Sequence, residues 1–184
     1  GLGTMAISLV VGLYLLFDFN NATDHLLKYI PKTHKYEIET LINQMGEELR
    51  KCVRGTLTVA CMVFVCDSLG FALAGLKAPI LFGLLCGITD LIPYIGPYIG
   101  GAAAVIVGFS QNPMIGIIVL SVAVVVQLVE NYVLQPVVMS KTVELHPVTI
   151  IIGLLIFGHF FGIIGMILAM PIMSLIKVVY RFFA

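Results

Sequence analysis

Charge is what this 184-residue chain has least of: Lys, Arg, Asp and Glu make up 11% of it, against about 25% in an ordinary soluble domain. That shortage excludes a water-facing globule. Net charge is missing too, with ten basic residues against ten acidic ones. A chain with no basic surplus has little with which to grip a phosphate backbone, so nucleic acid is excluded as a partner. The four cysteines, Cys52, Cys61, Cys66 and Cys86, form no C-x-x-C pair. They read as small packing residues in apolar helices, not as metal ligands or disulfide partners. Walker A, H-E-x-x-H and G-x-S-x-G are all absent, so ATP hydrolysis, zinc proteolysis and serine esterase chemistry have no motif to stand on. No enzyme activity and no cofactor are expected.

What fills the chain instead is 60% hydrophobic residues, gathered in runs long enough to cross a bilayer core, roughly 20 residues each. The expected fold is an all-α, polytopic integral membrane protein with broken helices, and its first partner is the lipid bilayer. Residues 1–19 form the first run, uncharged until Asp18. It lacks the basic n-region and short apolar core of a signal peptide, so it reads as a transmembrane helix. Because it starts at Gly1 and not at Met, the sequence reads as a piece of a longer chain. Eighteen glycines and eight prolines predict close helix packing and interrupted helices, which a membrane tolerates when the freed backbone groups face protein or a cavity.

The few charges are unevenly placed. Residues 20–54 hold eleven of the twenty, which makes this stretch an extramembrane linker between spans. Within it Pro31 separates a short helix over Thr23 to Ile30 from a longer one. Ile38, Leu41, Ile42, Met45, Leu49, Cys52 and Val53 fall on one apolar stripe of that second helix. It is either a surface helix packed on the membrane or a partner subunit, or a lid at a pore entrance. Residues 55–184 then form the transmembrane core.

Two segments of that core are too long for a single crossing. Ala78 to Ser110 carries no charge except Asp90, and as a straight helix it would run to about 50 Å, against a hydrocarbon core of about 30 Å. Pro93, Gly96, Pro97, Gly100 and Gly101 break it near 90–101, and the short halves suit a helical hairpin better than two full crossings. Pro147 to Phe183 is similarly overlong and is expected to break near 158–165, around Gly158, Gly162 and Gly165, and again at Pro171. If both segments return to the side they left, residues 20–54, Lys141, Lys177 and Arg181 share one face against Lys77 on the other. By the positive-inside rule that face is cytoplasmic.

The run from Asp90 to Pro97, the stretch Gln127-Leu128-Val129-Glu130-Asn131 leading to Leu134-Gln135-Pro136, and Leu145-His146-Pro147 before a Gly-rich apolar tail together resemble the autoinducer-2 exporter family, also called PerM-like permeases. His25 to Pro31 and Val53-Arg54-Gly55 also look like that family's linker. The resemblance covers essentially the whole sequence and corresponds to the C-terminal part of a family member. It implies a bacterial inner-membrane transporter of about seven or eight spans when complete. Members are linked to export of autoinducer-2, and some look like sodium(lithium)/proton antiporters. The expected ligands are therefore a small molecule or ion, with a proton or sodium as coupling ion, and a homo-oligomer is a possible assembly.

Asp90 carries most of the functional expectation. At the C-terminal end of a half-helix over Pro79 to Ile92 an anion is disfavoured by the macrodipole unless a cation or the next helix N-terminus compensates. Pro97 suits the first turn of that next helix. Discontinuous helices of this kind build ion sites in transporters; the alternative is a carboxylate that caps backbone groups and holds the hairpin's shape. Gln127, Glu130 and Asn131, with Leu134-Gln135 one turn on, make a polar face, which serves either a substrate pathway or interhelical hydrogen bonds. Asp67, deep in its span, is either functional or a paired, hydrogen-bonded group. His159 is read as a lone histidine bonded to a nearby carbonyl, His146 as a loop-shaping residue, and Tyr94 and Tyr98 as cavity-lining or interface residues.

A secondary transporter coupled through Asp90, Glu130 and Asp67 is the leading functional reading. A passive channel or an oligomeric scaffold is the alternative. An intramembrane aspartyl enzyme is remote, since neither Asp67 nor Asp90 sits in a G-x-G-D setting.

Overall fold

The computed structural model describes residues 35–139 and 146–183. The expected first span at 1–19, the short helix before Pro31, Lys141 and most of the loop preceding His146 lie outside the described residues. Among those described every regular element is helical. The chain divides at Val53/Arg54 and again at Lys141/Thr142 into an inner and an outer compact unit.

Helix α1 spans Lys35–Leu73. No proline interrupts it, and Glu37 lies in its first turn, where the helix dipole favours a negative charge. The charged linker helix and the apolar span that follows are thus one element, with no break near Gly55, because nothing between them ends a helix. Its end is built from hydrogen bonds. Gly75, at φ 78°, lets its own N–H donate to Ala72 O (3.1 Å) while Leu76 N–H donates to Phe71 O (3.0 Å). This paired pattern closes the last turn, and glycine adopts the left-handed conformation it needs at no steric cost. Phe71 and Leu76 are both buried in the same core, the apolar contact that accompanies such a cap.

Helix α2, Pro79–Thr89, starts on proline and has only 11 residues, about 16 Å of rise, or half a bilayer core. The chain then passes through Asp90 to Ile95 and re-enters helix as α3, Gly96–Gln111, with proline in its first turn. Tyr94 holds a left-handed φ of 64° in this break. Asn112 separates α3 from α4, Pro113–Val129; its side chain accepts from Met114 N–H at 2.8 Å and caps α4. A π turn, Glu130–Leu134, follows, and then α5, Gln135–Met139.

Close approaches hold α1, α2, α3 and α4 together within the inner unit. In a membrane, helices associate through packing and not through a water-driven effect, so small residues at crossings matter. A Cβ on Gly83 would lie 2.7 Å from Ser68 N, and one on Gly87 would lie 2.9 Å from Ala60 O. Helices α1 and α2 therefore meet backbone to backbone and run antiparallel. Gly100 brings α3 equally close to Cys86, 2.6 Å from its Cα. Val59, Val63, Phe71, Cys86, Ala104 and Val119 form the centre of the resulting core.

Helix α6, Pro147–Phe183, departs from helical geometry at Gly162 (φ 63°, ψ −145°). The chain reverses there. A Cβ on Gly153 would meet Met173 at 2.8 Å, and one on Gly158 would meet Met166 at the same distance, so the arms before and after Gly162 run antiparallel. The interruption expected at Pro171 does not occur; the helix continues through it. Transmembrane helices tolerate proline where local adjustments and neighbours satisfy the freed carbonyl.

Tyr36–Leu73, Pro113–Val138 and Val148–Phe182 are long and apolar enough to cross a membrane, although the last reverses at Gly162. They carry exposed apolar side chains: Leu69, Ile117, Val137 and Leu155 are all exposed. Buried acidic groups and exposed aliphatic ones together describe a multi-pass membrane protein.

Candidate functional site

Three elements of the inner unit each deliver one buried carboxyl group. Asp67 lies on α1, 5% exposed; Asp90 caps the C-terminus of α2, 8% exposed; Glu130 opens the π turn, 2% exposed. Burying acids costs several kcal/mol unless each finds a proton, a cation or hydrogen-bond donors.

Glu130 is the best supplied. Gln127 Nε2 donates to its Oε2 at 3.2 Å and Gln135 Nε2 donates to its Oε1 at 2.9 Å. The π turn makes this possible. Its wider winding, in which Gln135 N–H donates to Glu130 O, lets side chains on both sides of Glu130 reach its carboxyl. Asn131, expected on the same polar face, is exposed. Helical spacing presumes 3.6 residues per turn, and the π turn changes that register.

Asp90 lies close to the same carboxyl, brought there by the end of α2. The break places it there. The Asp90 N–H still donates to Cys86 O at 2.8 Å, so the residue belongs to the end of α2, while Ile92 N–H donates to Thr89 O at 2.9 Å and turns the chain away immediately afterwards. Gly96 is needed at the far side of the turn, because a Cβ would collide with the Thr89 carbonyl. Pro93 is partly buried within the break, and Pro97 sits in the first turn of α3.

Asp67 lies near Cys86 of α2. Its Oδ1 is buried without a hydrogen-bond partner, as is the neighbouring Ser68 hydroxyl. The charged groups acting on Asp67 and Asp90 are other carboxyls, Glu130 on both and Asp67 on Asp90. Among the described residues no group of three or more His, Cys, Asp or Glu side chains is arranged to hold a metal ion.

Asp67, Asp90, Glu130 and Gln127 therefore belong to one constellation. Gly100 supports it through its contact with Cys86. Tyr94 and Tyr98 are exposed and do not line it. Gly162 and Gly165 belong to the α6 hairpin, where Gly165 packs against the Phe157 carbonyl. His159, also in α6, is exposed and stacks edge-on with Phe160 at 5.4 Å. Two participants escaped the sequence reading. Cys86 reads from sequence as a packing residue, yet it lies four positions before Asp90 on α2 and so on the same helical face; Gln135 stands in the sequence only as part of a polar stripe.

The family model described as AI-2E family transporter matches residues 2–184. Among similar proteins, "Putative transport protein YueF" of Bacillus subtilis is 34% identical over 164 residues, covering 89% of this chain and 44% of its own length. "Putative transport protein YrrI" of the same organism is 31% identical over 165 residues, covering 90% and 47%. "Putative permease PerM" of Escherichia coli is 30% identical over 188 residues, covering 97% and 52%. The chain thus spans about half the length of these curated relatives. No solved structure matches it.

Proposed function

The chain belongs to the AI-2E transporter family, and from that premise we propose that it supplies the coupling core of a secondary active transporter that exports a small molecule or ion against a proton or sodium gradient. The observation that carries this reading is the gathering of buried carboxyl groups, Asp90 at the end of α2 and Glu130 in the π turn, beside a helix break. Buried carboxyl groups are costly unless a proton, a cation or donors offset their charge. In this reading the pair holds a proton away from water, next to a helix break. Replacing that proton by a cation, or losing it, alters what the break must accommodate. Gln127 and Gln135 keep Glu130 in place while this happens, since both donate to it.

In this reading the protein resides in the bacterial inner membrane, with residues 20–54 on the cytoplasmic side and a homo-oligomer as the candidate assembly. The name PerM attaches to a relative called a permease, which agrees with a transport role for this chain. The test is reconstitution of the complete protein in liposomes loaded with a pH-sensitive dye, with a sodium gradient imposed across the membrane. Coupled proton movement is expected from the wild type and none above empty liposomes from Asp90→Asn. Undiminished coupling in that variant, or conductance indifferent to the gradient's composition, refutes the reading.

A further inference from the structure

We propose that Glu130 is the permanently charged member of the buried acids, held ionised by the amides of Gln127 and Gln135, and that the exchangeable proton belongs to Asp90. The proposal rests on the reading of the pair given above. It deepens that reading by giving the two acids different tasks and by restricting the ligand beside them to a cation.

The argument starts from the hydrogen bonds of Glu130. The residue is 2% exposed, and both of its carboxyl oxygens are engaged: Gln127 Nε2 donates to Oε2 at 3.2 Å and Gln135 Nε2 donates to Oε1 at 2.9 Å. An ionised carboxyl only accepts, so two amide donors match it. A protonated one must turn one oxygen into a donor, and an amide N–H group has nothing with which to accept. Protonating Glu130 would therefore leave a buried hydrogen unmade or displace one of the amides. The second amide is present through a departure from regular winding. Gln135 stands five positions after Glu130, off the face that an unbroken α-helix extends at three and four positions. The π turn, closed by Gln135 N–H on Glu130 O, brings it back. Gln127 and Gln135 are thus positioning residues that fix the charge state of the acid between them.

Asp90 is supplied in the opposite way. It stands at the C-terminal cap of α2, where the helix dipole is negative and an anion is disfavoured. The adjacent hydroxyl, Thr89 Oγ1, is turned away, donating to Leu85 O at 2.9 Å and Cys86 O at 3.1 Å. No cation of the inner unit's apolar helices offsets its charge. The titratable side chains around it are Asp67 on α1, Cys86 on α2 and Glu130 in the π turn, all buried. Helices α3 and α4 contain no charged residue, and Tyr98 of α3 is exposed. A carboxyl at a negative helix end, close to a fixed anion, is the one that takes the proton.

The exchange forms or breaks one O–H bond, on Asp90, and the proton passes to or from water. One proton moves per chain, not two. Because Glu130 keeps its charge, the helix break is never without a negative group. When Asp90 releases its proton two anions stand close together, a state that admits a cation and rejects an anion.

The experiment is infrared difference spectroscopy of the full-length protein in liposomes, titrated from alkaline pH with acid, following the C=O band of the first carboxyl to protonate. In wild type one such band should appear before the exposed carboxyls titrate. It should be missing from Asp90→Asn. In Glu130→Gln it should still appear, displaced to lower pH because a neighbouring anion has gone. Gln127→Met combined with Gln135→Met keeps side-chain length and removes both donors. This double variant should show a second early band, which disappears when Glu130→Gln is added; a packing role alone would create no new carboxyl band. A wild-type band that is lost in Glu130→Gln or in Asp67→Asn but kept in Asp90→Asn overturns the proposal. So does the absence of an early band in wild type, or a double variant whose spectrum is unaltered. Should Asp90→Asn fail to assemble, Glu130→Gln and the double variant decide. Proton-coupled flux in liposomes is read separately: its absence from wild type defeats the transport reading, whereas the band assignments alone decide which acid carries the proton.

Discussion

Between Pro79 and Gln111 the chain turns through Asp90 to Ile95 and buries a carboxyl as it does so, whereas Pro147–Phe183 turns on the single residue Gly162 and leaves its tip exposed. Both are apolar segments interrupted near their middles. Gly162 has a backbone conformation reserved for glycine, and that alone reverses the helix. The first break also carries Pro93, a left-handed Tyr94 and a buried acid. Reversing a helix and building a polar site are therefore separable tasks. The added length of the first break is what lets Asp90 stay on α2 while α3 departs in a new direction.

The contrast is open to attack at several points. Most decisive is a pair of variants, Asp90→Asn and His159→Ala, measured by coupled flux in liposomes: the first should abolish flux, while the second should leave it intact, with stability shifted by no more than about 0.5 kcal/mol. Loss of flux in His159→Ala would give the second break a chemistry that the contrast denies it. Next comes Gly96→Ala. Its Cβ would collide with the Thr89 carbonyl, and overpacking against backbone costs about 1–3 kcal/mol or more, so thermal unfolding in detergent should fall and flux should fall with it. Gly162→Ala should cost about 1–3 kcal/mol through backbone strain alone, because nothing lies within 4 Å of its missing Cβ; it should lower the unfolding temperature while leaving the proton-carrying pair in place. Smallest is Gly101→Ala, whose nearest atom, Ala123 Cβ, lies at 3.8 Å. It should stabilise α3 by up to about 1 kcal/mol through helix propensity, and a destabilised variant would mean that α3 packs more tightly there than its contacts show.

Fold class and family were legible because both depend on features that composition and local order preserve: scarce charge, apolar runs and a sequence of short motifs. The site was legible only in its members. Asp67, Asp90 and Glu130 stand out as acids in apolar surroundings, but nothing local indicates that Asp90 reaches Glu130, since that contact is made by the fold. The thiol of Cys86 was hidden by its own chemistry, because a cysteine in an apolar helix reads as a small hydrophobe until its neighbour is known. Asn131 reads from spacing as part of the polar face and is exposed in the structure: helical spacing extends a face at 3.6 residues per turn, and the π turn begins one residue before it. Pro171 was overread, since a proline that breaks a helix in water need not do so in a membrane.

The π turn at Glu130–Leu134 also makes the α4 to α5 stretch one residue longer than a uniform α-helix would need to cover the same rise. It is slack held in the chain. Deleting one residue from it would let the wide turn close into an ordinary one, leaving the helix ends almost in phase and bringing Gln135 to four positions from Glu130, still on the same face.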